Sequence, residues 1–188
     1  MGRLIVFVSG AVRSGKSEIA EACAIRLASV GRIHYIAAAP ADDEEMAGRI
    51  RRHQERRAAT AARWVVWEVP FSSRGLAASL RADDVVLLDC LTTWWAAELF
   101  VGDDWKMMKT ADEAARRLLD EVRAWAGRCR AVVVVSNELF SGGVPDDEGT
   151  FRYMKTLGWL HQQLVAAAGA AAVVECGLLR VKKGRWPQ

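Results

Sequence analysis

The segment Gly10-Ala11-Val12-Arg13-Ser14-Gly15-Lys16-Ser17 repeats the pattern G-x-x-x-x-G-K-[ST] at every fixed position. Its glycines allow a turn tight enough for successive backbone N–H groups to face phosphate oxygens. Lys16 would place a point charge toward the β- and γ-phosphates, and the Ser17 hydroxyl would ligate Mg²⁺. The positive end of the helix that follows adds to the attraction. A glycine-containing turn with a chance Lys-Ser pair is the competing reading. The apolar run before the loop and the amphipathic segment after it favour the phosphate cradle. Asp89 closes the run Val85-Val-Leu-Leu88, the place of a Walker B acid. From there a carboxylate reaches nucleotide-bound metal directly or through water, although a strand-ending Asp is common. Ser17 and Asp89 are the expected magnesium ligands.

His53 is a second chemical candidate. It lies on an amphipathic stretch with Met46 and Ile50 on its stripe and Arg49, Arg51, Arg52, Arg56 and Arg57 around it. By physical chemistry alone an ordinary surface histidine is the simpler reading. The arginines support another: nearby cations disfavour a protonated ring, and a neutral imidazole is a nucleophile. The same arginines could fork onto a triphosphate. His34, inside a strand, and His161, inside a helix, have no partner at ligand spacing and read as structural. Glu138 is a weaker candidate for orienting an acceptor hydroxyl.

These residues need elements to hold them. Short apolar runs (Leu4 to Val8, Ile33 to Ile36, Val85 to Leu88, Val132 to Val135, Ala171 to Val174) suit strands buried on both faces of a parallel sheet, with Trp64 to Glu68 a less regular sixth. Between them lie helical patterns over Ser17 to Val30, Asp43 to Arg57, Thr110 to Ala126 and Thr150 to Ala168. Thr110 with Glu113 could form a capping box, and Gly127 a stop. The acidic stretch Asp42 to Glu45 suits a helix start. The alternation predicts one α/β domain over residues 1–188, a P-loop NTPase-like fold with a mostly parallel central sheet flanked by helices.

The chain of 188 residues is 52% hydrophobic and carries a net charge of +3. That supports a folded core and is too small a charge to indicate a nucleic-acid partner. The basic tail at Lys182, Lys183 and Arg185 reads as a solvated end. No apolar stretch is long enough for a membrane span. Four cysteines without a CxxC pair point to a reduced, cytoplasmic setting. Of eight tryptophans, Trp94 and Trp95 follow the Asp89 strand; burial in a core or subunit interface is the favoured reading over packing against a large flat ligand.

The order of Arg-Ser-Gly-Lys-Ser (13–17), Tyr-Ile-Ala (35–37), Asp-Glu-Glu-Met-x-x-Arg-Ile-x-x-His (43–53), Trp64 with Glu68, Leu-Leu-Asp-Cys-Leu-Thr-Thr (87–93) and Ser-Asn-Glu (136–138) before Val144-Pro145 resembles one family. That family is the bifunctional adenosylcobinamide kinase/adenosylcobinamide-phosphate guanylyltransferase of cobalamin biosynthesis. The resemblance implies that ATP or GTP phosphorylates adenosylcobinamide, and that GMP then passes from GTP to the new phosphate through a guanylylated histidine, His53 by position. It implies nucleotide contacts at Ala37, Ala38, Ala39, Gln54, Glu55, Arg56, Arg57, Glu68 and Asp89, small-molecule partners, and a homotrimer. The chain departs from the family pattern at Ala11, Phe140, Trp159, His161 and Leu179. A kinase of another small alcohol with a silent His53 remains an alternative, as does a non-catalytic nucleotide-binding module.

Overall fold

The computed structural model describes residues 4–37, 44–68, 73–100 and 108–187. Ala38 and Ala39, the acidic pair Asp42–Asp43, and the side chains of Met46 and Ile50 lie outside what is described.

Seven strands form one sheet: β1 (Leu4–Gly10), β2 (Arg32–Ala37), β3 (Arg63–Glu68), β4 (Val85–Asp89), β5 (Ala131–Asn137), β6 (Ala170–Glu175) and β7 (Leu178–Gly184). Their order is β3-β2-β4-β5-β1-β6-β7. The first six are mutually parallel, and β7 runs antiparallel to β6 at the edge. Alternation along the strands divides the apolar side chains between two layers. Val6 and Val8 point to the side of helix α1 (Lys16–Ala28), where Ala20, Cys23 and Ala24 meet Ile33, Val133 and Val135. Ile5 and Phe7 point the other way, into a larger core built with α3 (Ser73–Ser79), α4 (Leu91–Leu99), α5 (Met108–Ala126) and α6 (Glu148–Ala167). Trp94 and Trp95 belong to that second core, with Trp94 stacked on Trp125 at 5.4 Å and Trp95 donating to Thr156 at 3.1 Å. The core reading of these two tryptophans therefore holds.

Several expectations are corrected. Helix α5 begins at Met108, so Thr110 stands inside it rather than at its cap. Helix α6 is capped by Asp147, whose carboxylate accepts from the Thr150 N–H at 2.7 Å. Helices α3 and α4 were not foreseen, because each is short and apolar enough to pass for loop or strand. The basic tail is solvated as expected, with Lys182, Lys183 and Arg185 all exposed, but it is ordered. Lys182 and Lys183 lie in β7, and the Lys183 ammonium donates to the Val165 and Ala166 carbonyls at 2.8 and 2.9 Å. That closes the C-terminal end of α6, where orphan carbonyls favour a cation.

Candidate active site

All six parallel strands end on one edge, and strand register sets what meets there. Ala37 pairs with Glu68 on one side and Asp89 on the other. Gly10 lies opposite Asn137 and Val174. A Cβ on Gly10 would collide with the Val174 carbonyl, so only glycine lets β1 run this close to β6 at the loop entrance. Gly15, at φ 91°, takes the left-handed turn that starts α1. The loop is braced from both sides: the Gly10 carbonyl accepts from Glu138 N–H at 3.0 Å and the Ser14 carbonyl from Gly177 N–H at 2.9 Å.

Within the loop, Lys16 is 6% exposed and donates to the Ala11 carbonyl at 3.0 Å. The buried Ser14 hydroxyl has no hydrogen-bond partner among the described residues. A buried polar group left in this state is costly unless a further acceptor or donor arrives, which suits a phosphate oxygen. Ser17 donates to Asp89 at 3.3 Å, and the Tyr35 hydroxyl donates to the other Asp89 oxygen at 3.3 Å. Burial pushes the Asp89 carboxyl above its ordinary range, against the opposing pull of His53, Ser17 and Lys16. A hydroxyl and a carboxylate so placed form a hard-oxygen pair of the kind Mg²⁺ takes alongside phosphate and water.

Helix α2 (Glu44–Ala58) brings His53 and Arg56 over this loop. A cleft of about 570 Å³ is lined by Arg13, Gly15, Lys16, Ser17, Glu18, His53 and Arg56, within the usual ~300–1,000 Å³ of small-molecule sites. Glu21, a residue that sequence reading missed, ties the two helices together. Its Oε1 lies 3.0 Å from His53 Nδ1, and its Oε2 accepts from Arg56 Nε at 2.7 Å. Arg56 also donates to Glu18 at 2.6 Å and brings Nη2 within 3.1 Å of His53 Nδ1. Burial raises the Glu21 pKa, but the bonds from His53 and Arg56 outweigh it and hold the carboxyl below its usual range. The sequence marks Glu21 only as a carboxylate amid the core residues Ala20, Cys23 and Ala24, which hints at burial but names neither partner.

The remaining candidates are placed less centrally. Arg57 is buried behind the cleft, its guanidinium 3.9 Å over the Tyr35 ring and 5.8 Å from that of Trp64. Gln54, Glu55 and Glu68 are exposed and are not among the lining residues; Val12 is exposed on the loop. Glu138 accepts from the Phe140 N–H and the Ser141 hydroxyl, both in its own loop, at 2.7 and 2.9 Å. Two departures from the family pattern touch each other: Phe140 meets the His161 ring edge-on at 5.4 Å. His161 in turn faces the Ser136 hydroxyl at 2.7 Å, and burial lowers its pKa to about 4. The His34 ring lies fully buried between Asp84 and Trp67 at 3.2 and 3.1 Å and is not among the cleft's lining residues. The described residues hold no group of three or more His, Cys, Asp or Glu side chains able to take a metal by themselves. None of their helices is long and apolar enough to cross a membrane.

The chain is 37% identical over 183 residues to the bifunctional adenosylcobalamin biosynthesis protein CobP of Pseudomonas aeruginosa, covering 94% of this chain and 96% of that one. It is 34% identical over 184 residues to the bifunctional adenosylcobalamin biosynthesis protein CobU of Salmonella typhimurium, covering 93% and 97%. Among solved structures the ATPase domain of G40P superposes with a TM-score of 0.54 at 11% identity, over 99% of this chain and 78% of that one, which supports the P-loop NTPase fold. The family model described as cobinamide kinase/cobinamide phosphate guanyltransferase matches residues 6–181, and the chain belongs to that family.

Proposed function

We propose that this chain catalyses both family reactions on a corrinoid alcohol, adenosylcobinamide, and that His53 carries GMP between them. The observation that carries this reading is the shared cleft, which sets His53 and Arg56 of α2 against Lys16 and Ser17 of the phosphate loop. In the first reaction the acceptor hydroxyl oxygen bonds to the γ-phosphorus, the bridging bond to the β-phosphate breaks, and the nucleoside diphosphate leaves. Lys16 and Arg13 face the charge that accumulates on the leaving side. Ser17 and Asp89 would hold Mg²⁺, which would neutralise phosphate charge when bound. In the second reaction His53 bonds to the α-phosphorus of GTP as pyrophosphate departs. The phosphate made in the first step then displaces the histidine, giving the GDP-activated corrinoid. Gln54, Glu55, Arg57, Glu68, Ala37, Ala38 and Ala39 keep nucleotide-contact roles in this proposal, and a trimeric, cytoplasmic enzyme belongs to the same reading.

The test is to incubate the protein with magnesium and GTP labelled at the α-phosphate, denature it, and measure label on the chain. Acid-labile, alkali-stable label that disappears in His53→Ala is the expected outcome. Full-rate formation of the GDP-activated corrinoid by His53→Ala would sink the histidine step, and a wild type that binds nucleotide but retains no α-label would leave a kinase alone.

A further inference from the structure

We infer that Glu21 is a positioning residue for the second reaction: it holds the proton of His53 on Nδ1 and so presents Nε2, with its lone pair, to the α-phosphate. This rests on the proposed role of His53. The geometry presents a choice at Nδ1, because Glu21 Oε1 lies 3.0 Å away and Arg56 Nη2 lies 3.1 Å away. A ring nitrogen cannot donate to the carboxylate and accept from the guanidinium at once. Burial decides between them. The Glu21 side chain is 5% exposed and can only accept, so a bare nitrogen at 3.0 Å would set lone pair against lone pair with no water to intervene. The Arg56 side chain is 35% exposed and already donates through Nε and Nη1. Its Nη2 carries two N–H bonds in the plane that those two contacts fix, and it can give them to water or to a phosphate in the cleft that Arg56 lines, without needing Nδ1 as acceptor. The proton therefore sits on Nδ1.

The chemistry follows from that tautomer. The Nε2 lone pair forms the bond to the α-phosphorus while the bond to the pyrophosphate oxygen breaks and takes its electron pair away. The ring becomes cationic, keeps its Nδ1 proton, and has the Glu21 carboxylate against it. When the acceptor phosphate attacks, the P–N bond breaks and its pair returns to Nε2. Glu21 thus steadies charge that exists only after attack. Because α1 carries both Lys16 and Glu21, the helix that follows from the phosphate loop also sets the nucleophile's protonation.

Glu21→Gln and Glu21→Asp discriminate this from a packing role. Gln keeps the shape, but Arg56 Nε demands the amide oxygen, which turns the NH₂ toward Nδ1 and moves the ring proton to Nε2. Asp is shorter but remains an acceptor on every lone pair. We expect Gln to lower the rate of α-label incorporation at saturating GTP on the order of 10²–10⁴-fold. The KM for GTP should move by less than about threefold, and Asp should lose less than Gln. Nitrogen-15 NMR of the three histidines should show the His53 proton on Nδ1 in the wild type and on Nε2 in Glu21→Gln. A Gln variant at wild-type rate, Gln outperforming Asp, or a wild-type His53 protonated on Nε2 would each overturn the inference. Were the wild type to retain no α-label, the histidine step itself would fall. The nitrogen spectrum of that same protein would still decide whether Glu21 fixes the tautomer.

Discussion

Lys16 directs its ammonium at a carbonyl of its own loop, 3.0 Å away, so in the proposed role nucleotide binding would exchange that neutral acceptor for charged ones. Such charge-assisted bonds are roughly twice as strong as neutral ones. Lys16→Ala should lower kcat/KM for nucleoside diphosphate formation by about 10²–10³-fold, measured as diphosphate released per enzyme with cobinamide present. The loop was legible because the residue types that mark it lie inside one run from Gly10 to Ser17, with only their spacing needed, although the bonds that brace it come from Glu138 and Gly177. Asp89 was legible for a related reason, since a carboxylate ending an apolar strand of a parallel sheet has one edge to occupy. Glu21 was not. Its partners His53 and Arg56 stand 32 and 35 residues later, and no local pattern states that α2 crosses α1 there. The neutral imidazole expected from a ring of arginines also omitted this carboxylate, which now faces Nδ1 directly.

Elements set what those residues can reach. β1 is flanked by β5 and β6 in parallel register, and the Gly10 contact with Val174 fixes how close the phosphate loop comes to β6. Gly10→Ala must part these strands or displace the loop. We expect a loss of about 1–3 kcal/mol of stability from such overpacking, together with weakened nucleotide binding, read by urea unfolding and calorimetry. Five of the six parallel strands were readable as apolar runs because both faces of each are covered, whereas β3, at the sheet edge with no fully buried side chain, gave the less regular run. Strand β7 was not readable, because its side chains are almost all exposed and its apolar and basic residues show no buried periodicity. Its place comes from backbone pairing with β6, which leaves little trace in side-chain type.

At the scale of the molecule, pH acts through rings held away from water. Burial keeps His161 neutral down to about pH 4 and lowers the His34 pKa in the same direction. In the unfolded chain these rings take up protons near pH 6.5. Between those values the unfolded state binds more protons. The stabilisation from each neutral ring is therefore full above about pH 6.5 and is lost as pH falls toward the folded pKa. His161→Gln should flatten stability against pH between about 6.5 and 5, by at most about 1.4 kcal/mol per pH unit. Urea unfolding at pH 7, 6 and 5 measures this, and a residual slope from His34 should survive.

The bond from Gly177 N–H to the Ser14 carbonyl has a consequence for how the protein is made. The phosphate loop is written before its supports, since both strands beside β1 and the turn that braces the loop come after residue 130. While a ribosome is still adding those segments, the motif hangs from an unpaired apolar strand and has no sheet edge to shape it. Pairings over such sequence separations form slowly and leave exposed strand surface in the interim. A growing chain thus carries its nucleotide signature well before the elements that would let it hold a nucleotide exist.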